Sequence, residues 1–123
     1  NSFTVIANVV AAMAVAGGFD DAVWPLLWLI FASLCMYHGG IILNDCLEIE
    51  EDRRTQPGRP LVKGFLPYGI AWGLGCFLLF MGVLVLSFYS RQTLIFGIAL
   101  VGAILAYNFS PREGLLGCAF MGL

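Results

Sequence analysis

The stretch that decides the fold is a long apolar run that ends abruptly in charge. Residues 22–43 read AVWPLLWLIFASLCMYHGGIIL, and residues 44–64 continue as NDCLEIEEDRRTQPGRPLVKG. About 20 mostly apolar residues are enough for a helix to cross a membrane, so the first part predicts a transmembrane helix. The second part holds nine of the fourteen formally charged side chains of the chain. It therefore indicates a polar break between two spans.

The composition of the whole chain points the same way. Of its 123 residues, 60% are hydrophobic and only 11% are charged, whereas about 25% of the residues in soluble domains are charged. A small soluble domain could not bury so much apolar surface, but in a membrane these side chains can face lipid. The sequence predicts an all-α, polytopic transmembrane helix bundle, with residues 1–123 forming one domain. Because apolar runs reach both ends, we expect the chain to be part of a longer protein.

Four apolar runs are candidate spans, and a fifth run begins near the end of the chain. Short links between spans imply antiparallel neighbours. Five of the six basic residues fall in the breaks at 44–64 and 108–114, so the positive-inside rule places both breaks in the cytoplasm. The candidate spans cover about residues 3–18, 22–43, 65–89 and 92–107, and the fifth run covers residues 115–123.

Glycines recur in the third and fourth spans. Small residues let helix backbones approach each other closely in lipid, so we expect these glycines to lie at helix–helix contacts. They are the GxxxG pair Gly69 and Gly73, followed by Gly75, Gly82, Gly97 and Gly102.

Three carboxylates follow the second span. If that helix continues past Leu43, then Asp45, Glu48 and Asp52 lie on one helix face, because their spacing is i, i+3 and i+7. Carboxylates near membrane depth and at a helix C-terminus are unfavourable unless a cation compensates them. Hard oxygen donors without His or Cys suit Mg²⁺, with Mn²⁺ as an alternative, rather than Zn²⁺.

Basic residues follow the carboxylates directly. Arg59 and Lys63 are suited to phosphate, because a guanidinium matches its geometry and an ammonium adds a point charge. Pro57 and Pro60 would stiffen the chain around Arg59. Mg²⁺ prefers to share its ligand shell with phosphate oxygens, so the segment predicts a metal-bound phosphorylated ligand. The alternative interpretation is a solvated charged loop, or a polybasic contact to anionic lipid.

The acidic pattern resembles the first aspartate-rich motif, NDxxDxxxD, of the UbiA superfamily of intramembrane prenyltransferases. One position departs from the motif, because Glu48 stands where the family has Asp. The charge is kept there, but the extra methylene is expected to alter the metal geometry. The matching positions are Asn44, Asp45, Glu48 and Asp52.

Other segments extend the resemblance, which covers the chain as roughly the first half of the family's fold. Residues 59–64, RPLVKG, are similar to the RPxxxG continuation of the family. Asn8, followed by Gly17, resembles the family's Asn-to-Gly pattern in the first span. Residues 107–117, with Pro111, resemble its second cytoplasmic loop.

The resemblance implies a reaction. Members of the family transfer an isoprenyl group from a polyprenyl diphosphate to a lipophilic acceptor, often an aromatic ring such as a quinone precursor, although glycerol ethers are also acceptors. It implies that Mg²⁺ is held by Asn44, Asp45, Glu48 and Asp52. The family's second aspartate-rich motif does not occur in these 123 residues, so we expect this part alone to be inactive.

The resemblance also implies roles for residues outside the acidic motif. Arg59, Lys63 and Arg112 would bind the diphosphate. Asn8 is a candidate for a contact to the acceptor or, alternatively, for a hydrogen bond between helices. Tyr107 would stabilise the allylic cation through its ring face, a catalytic role. Simpler alternatives are an interfacial tyrosine at position 107 and a positive-inside anchor at position 112.

The sequence is also compatible with two other functions. One is a non-catalytic UbiA-like membrane module, and the other is a cation transporter segment, although the adjacent positive charges argue against a cation path. His38 is predicted to pack or to form a hydrogen bond, because there is no second His with which it could bind a metal. The sequence carries no basic face of the kind that nucleic acid requires.

Overall fold

The computed structural model describes residues 2–15 and 23–109, and within those ranges every regular element is a helix. The all-α prediction is therefore confirmed. The helices are α1 (Ser2–Val15), α2 (Val23–Leu47), α3 (Ile49–Thr55), α4 (Tyr68–Ser87) and α5 (Arg91–Phe109).

Three of these helices are long and apolar enough to cross a membrane. They are α2, α4 and α5, with 25, 20 and 19 residues. The described part of α1 has 14 residues and is apolar, so the first predicted span is helical over its described residues. The predicted start of a fifth span, residues 115–123, lies outside the described residues.

The predicted ends of two spans are shifted for local reasons. α2 continues to Leu47, four residues past its predicted end, because its backbone hydrogen bonds run on into the acidic segment. α4 begins at Tyr68 rather than near residue 65. Pro67 precedes it with an extended backbone (φ −59°, ψ 135°), and the Pro67 carbonyl accepts the N–H groups of Ile70 and Ala71 at 3.0 Å each.

The core of the bundle lies between α2 and α4. Met36, Leu43 and Leu79 are at most 5% exposed and form its centre. Gly39 and Gly75 bring the two backbones together, since a Cβ at Gly39 would lie 3.0 Å from the Gly75 carbonyl oxygen. The absence of side chains at these positions therefore sets the distance between the helices.

The glycine prediction is confirmed at some positions, whereas at others no contact occurs with the described residues. Gly82 packs on Met36, and Gly97 packs on Leu86. A Cβ at Gly69, Gly73 or Gly102 would meet no described atom within 4 Å. The GxxxG pair therefore lies on a face of α4 that is turned away from α2, since the helix carries glycines on more than one face.

The outer surfaces of the long helices are apolar. Trp24, Phe80 and Phe96 are 74%, 62% and 75% exposed, respectively. Exposed aromatic rings of this size are unfavourable in water and suit a lipid environment.

Two hydrogen bonds attach α1 and α5 to α2. The Asn108 side-chain amide at the end of α5 donates to the Gly40 carbonyl at 3.2 Å. Ser2 Oγ at the start of α1 lies 3.1 Å from His38 Nε2, which confirms the expected hydrogen bond of His38. The end of α5 therefore lies beside the last third of α2, at the end of the bundle where the acidic segment begins.

Candidate active site

The acidic segment is helical, and this fixes the register of its carboxylates. A single turn at Glu48 (φ −98°, ψ 8°) separates α2 from α3. The helical hydrogen bonds nevertheless continue across it, from Glu48 N–H to Asn44 O at 3.0 Å and from Asp52 N–H to Glu48 O at 2.8 Å. The helix therefore continues past Leu43, the condition on which the shared carboxylate face depended, and Asp45 and Asp52 lie on the same side of it.

Arg59 joins these two carboxylates. Its Nη1 group donates both to Asp45 Oδ1 and to Asp52 Oδ2, the second at 2.8 Å. Its Nε group donates to Gln56 Oε1 at 3.0 Å. The Asp52 side chain is only 6% exposed, and the side chains of Arg59 and Asp45 are about 30% exposed. A carboxylate this buried requires a partner, and Arg59 provides it.

The turn that carries Arg59 is held by its own backbone. The Arg59 N–H bonds the Gln56 carbonyl at 3.2 Å, and the Lys63 N–H bonds the Arg59 carbonyl at 3.0 Å. Gly64 has a φ of +74°, a conformation that glycine adopts without a steric penalty. It lets the chain reverse, and the Phe65 N–H then bonds the Pro60 carbonyl at 3.1 Å. These local bonds place Arg59 over the end of α2.

A cavity of about 870 Å³ opens beside Arg59, between α1, α2 and α5. Most of its wall is apolar, as at Val5, Leu100 and Ile104. Five of the predicted site residues line it, although they come from four separate parts of the chain. They are Asn8, Asn44, Asp45, Arg59 and Tyr107.

The other predicted residues lie elsewhere. Asp52 is buried and reaches the site through Arg59, whereas Glu48 is half-buried at the junction of α2 and α3. Lys63 is exposed and does not line the cavity. Arg112 lies outside the described residues.

Asn108 lines the cavity but was not predicted as a site residue. An amide side chain within an apolar span, directly after Tyr107, was the signal that could have identified it. Its hydrogen bond to Gly40 holds the end of α5 where Tyr107 borders the cavity.

The side chains fit a hard cation that is shared with a ligand, rather than a cage made by protein alone. Within residues 2–15 and 23–109, no three His, Cys, Asp or Glu side chains converge as metal ligands. Asp45 and Asp52 do converge on one cationic group, and Asn44 adds an amide beside them in the cavity wall. Mg²⁺ is commonly bound by one or two carboxylates together with phosphate oxygens, so this donor set suits it.

Comparison with known proteins identifies the family. The model of the UbiA prenyltransferase family matches residues 5–123. The chain belongs to the UbiA prenyltransferase family. Together with the three long apolar helices, this membership makes it an integral membrane protein.

Two curated relatives show the extent of the likeness. A digeranylgeranylglyceryl phosphate synthase of Hyperthermus butylicus is 27% identical over 118 residues, which are 94% of this chain and 37% of that protein. A protein of the same name in Sulfolobus acidocaldarius is 29% identical over 114 residues, which are 87% of this chain and 41% of that protein. The chain thus spans about two fifths of the length of these curated relatives. No solved structure matches it.

Proposed function

We propose that this chain forms the diphosphate-binding part of a membrane prenyltransferase. The enzyme would move an isoprenyl group from a polyprenyl diphosphate to a lipophilic acceptor and would require Mg²⁺. The observation that carries the proposal is the convergence of Asp45, Asp52 and Arg59 beside a largely apolar cavity. Membership of the UbiA prenyltransferase family supports it.

Asn44, Asp45 and Asp52 are the residues that would hold Mg²⁺, and Glu48 is the candidate for a contact through water. When bound, the ion would neutralise the charge that develops on the leaving diphosphate. Arg59 would donate hydrogen bonds to the diphosphate oxygens, because guanidinium and phosphate have matching geometries. Lys63 and Arg112 remain candidates for a longer-range contribution of positive charge.

The apolar wall has a chemical role in this proposal. As the bond between the first prenyl carbon and the diphosphate oxygen breaks, the electron pair leaves with the diphosphate and an allylic cation forms. Side chains such as Val5, Leu100 and Ile104 would keep water from that carbon. The Tyr107 ring would stabilise the cation until the acceptor attacks the carbon and releases a proton.

The curated relatives suggest which acceptor to test first. Both carry the name digeranylgeranylglyceryl phosphate synthase, and such a product contains two geranylgeranyl groups on one glyceryl phosphate. We therefore propose geranylgeranylglyceryl phosphate as the first acceptor and geranylgeranyl diphosphate as the donor. An aromatic quinone precursor, one of the acceptor classes that the family resemblance implies, is the second candidate. Asn8 is placed in the cavity wall, where it would contact either acceptor.

The deciding experiment measures donor binding by the complete gene product in lipid nanodiscs. Geranylgeranyl diphosphate is titrated with and without Mg²⁺, in wild type, in Asp45→Asn and in Glu51→Gln. Glu51 is a matched control, because it is an exposed carboxylate on α3. We expect binding to require Mg²⁺, to be lost in Asp45→Asn and to persist in Glu51→Gln. Binding that is absent, or indifferent to both Mg²⁺ and Asp45, would leave only a charged loop and refute the proposal.

A transfer assay then separates an enzyme from a binding module. Both acceptors are offered to the protein with geranylgeranyl diphosphate and Mg²⁺, and prenylated product is measured by mass spectrometry. Product from one acceptor identifies the acceptor class. Mg²⁺-dependent binding without product from any acceptor would favour a non-catalytic UbiA-like module.

A further inference from the structure

We propose that Arg59 is an internal counter-ion that occupies the metal-binding carboxylates until metal and diphosphate displace it. In the metal-free protein its guanidinium group neutralises Asp45 and Asp52. When the metal binds these carboxylates, the guanidinium group turns to the diphosphate. The identity of the displacing ligand rests on the proposed function, whereas the competition between Arg59 and a metal ion can be tested by itself.

One nitrogen of Arg59 is shared by two carboxylates, which is the first observation that supports this role. Arg59 Nη1 contacts Asp45 and Asp52 simultaneously, so it occupies the position where a cation would meet both. The two aspartates are seven residues apart on the helical segment, and like charges placed so close repel each other. A positive charge between them offsets this repulsion and holds the two side chains close together.

The burial of Asp52 is the second observation that supports a counter-ion role for Arg59. Its side chain is 6% exposed, and leaving a buried carboxylate without a partner is strongly destabilising. A separate ion pair of this segment joins Arg53 to Glu50 at 3.1 Å, at side chains that are 57% and 77% exposed. Among the described residues, the ion pairs of both Asp45 and Asp52 are made with Arg59. The structure therefore assigns the counter-ion role to Arg59 rather than to its basic neighbours.

The third observation is that the Arg59 guanidinium group has space in which to move. Arg59 borders the 870 Å³ cavity, so a rotation of its side chain leads into open space. Its backbone is held within its own turn by bonds to Gln56 and Lys63. Exchange of partners therefore requires a side-chain movement and not a repacking of helices.

The consequence is coupling between the two ligands. A metal ion that binds alone must compete with Arg59 for the carboxylates. A diphosphate that accepts hydrogen bonds from Arg59 removes this competitor, and linkage requires the effect to be reciprocal. Metal and diphosphate would then bind more tightly together than either does alone.

The test is a titration of the complete gene product with Mn²⁺, followed by electron paramagnetic resonance, in the absence of diphosphate. In Arg59→Gln we expect the affinity for Mn²⁺ to rise about ten-fold, equivalent to about 1.4 kcal/mol. Arg59→Lys keeps a competing charge and should stay close to wild type. Arg53→Gln is the matched control, because it removes the same charge from the same segment, and the ion pair that it breaks among the described residues is the one to Glu50. We expect it to change the affinity for Mn²⁺ less than about two-fold.

A thermal unfolding experiment distinguishes a change in metal binding from poor folding of the variant. In the presence of a chelator, Arg59→Gln should unfold at a lower temperature than wild type, and Mn²⁺ should recover most of the loss. The inference is wrong if Arg59→Gln binds Mn²⁺ no more tightly than wild type, or if Arg53→Gln tightens binding equally. These outcomes concern metal alone. Failure of the proposed function would instead appear as a wild-type protein that does not bind geranylgeranyl diphosphate with Mg²⁺.

Discussion

The middle and the C-terminal end of α2 make contacts of opposite kinds. In its middle, α2 meets α4 through residues without side chains, and Gly39 and Gly75 set the spacing of the backbones. At its C-terminal end, α2 meets the turn that carries Arg59 through full charges. The first contact depends on shape, and nothing in a ligand can replace it. The second depends on a cation, which a metal ion can replace. Changes in the middle should therefore alter stability, and changes at the end should alter ligand binding.

The largest effect is expected from Asp52→Asn. This substitution keeps the size of the side chain but removes a charge from the candidate metal site, so Mg²⁺-dependent prenyl transfer should fall about 100-fold or more. Glu51→Gln, one residue away and exposed, should retain nearly full activity. Initial rates of prenyl transfer at saturating Mg²⁺ measure both variants. Equal losses in the two would mean that total negative charge matters rather than the position of Asp52.

The next largest effect is expected in the middle of α2, at its contact with α4. A Cβ at Gly39 would lie 3.0 Å from the Gly75 carbonyl oxygen and 3.1 Å from the Leu79 backbone nitrogen. Because backbone atoms cannot rotate away, Gly39→Val should force α2 and α4 apart and lower the free energy of unfolding by about 2–3 kcal/mol. Gly73→Val is the control, because it meets no described atom within 4 Å. Denaturant unfolding in micelles distinguishes the two, and a similar loss in both would indicate an effect of helix propensity rather than of packing.

The same contrast explains what could be predicted from the sequence. The spans followed from the lengths of apolar runs, and the common face of Asp45 and Asp52 followed from helical spacing. Which glycines lie at helix–helix contacts could not be predicted, because a GxxxG pattern indicates a helix face without bulky side chains but not which helix packs against it. The partner of the carboxylates was also hidden. Arg59 was expected to face a diphosphate, and only the folding of its turn back onto α2 reveals the contacts to Asp45 and Asp52.

A moderate effect is expected from Tyr107, which tests whether the cavity wall does more than exclude water. Loss of a ring face near an allylic cation should cost about 1.4 kcal/mol of transition-state stabilisation. Tyr107→Leu should accordingly lower the rate of transfer about ten-fold, whereas Tyr107→Phe keeps the ring and should stay near wild type. Phe109→Leu is the control, since Phe109 is 62% exposed and does not line the cavity. If Tyr107→Phe is as slow as Tyr107→Leu, the hydroxyl group rather than the ring face is the important group.

The smallest effect on stability is expected at the contact between α2 and α5, where a hydrogen bond and a close approach at a glycine occur side by side. Asn108 in α5 donates a hydrogen bond to the Gly40 carbonyl in α2. A Cβ at Gly40 would lie 3.1 Å from Cγ2 of Ile104, which is also in α5. Asn108→Ala should lower the free energy of unfolding by about 0.6 kcal/mol, as is typical of a hydrogen bond between membrane helices. Gly40→Ala should push α5 away from α2 and so lengthen and weaken the hydrogen bond from Asn108 to the carbonyl of residue 40. In the double variant the loss should therefore be smaller than the sum of the single losses, and strict additivity would show that the Asn108 bond and the close approach at Gly40 are independent.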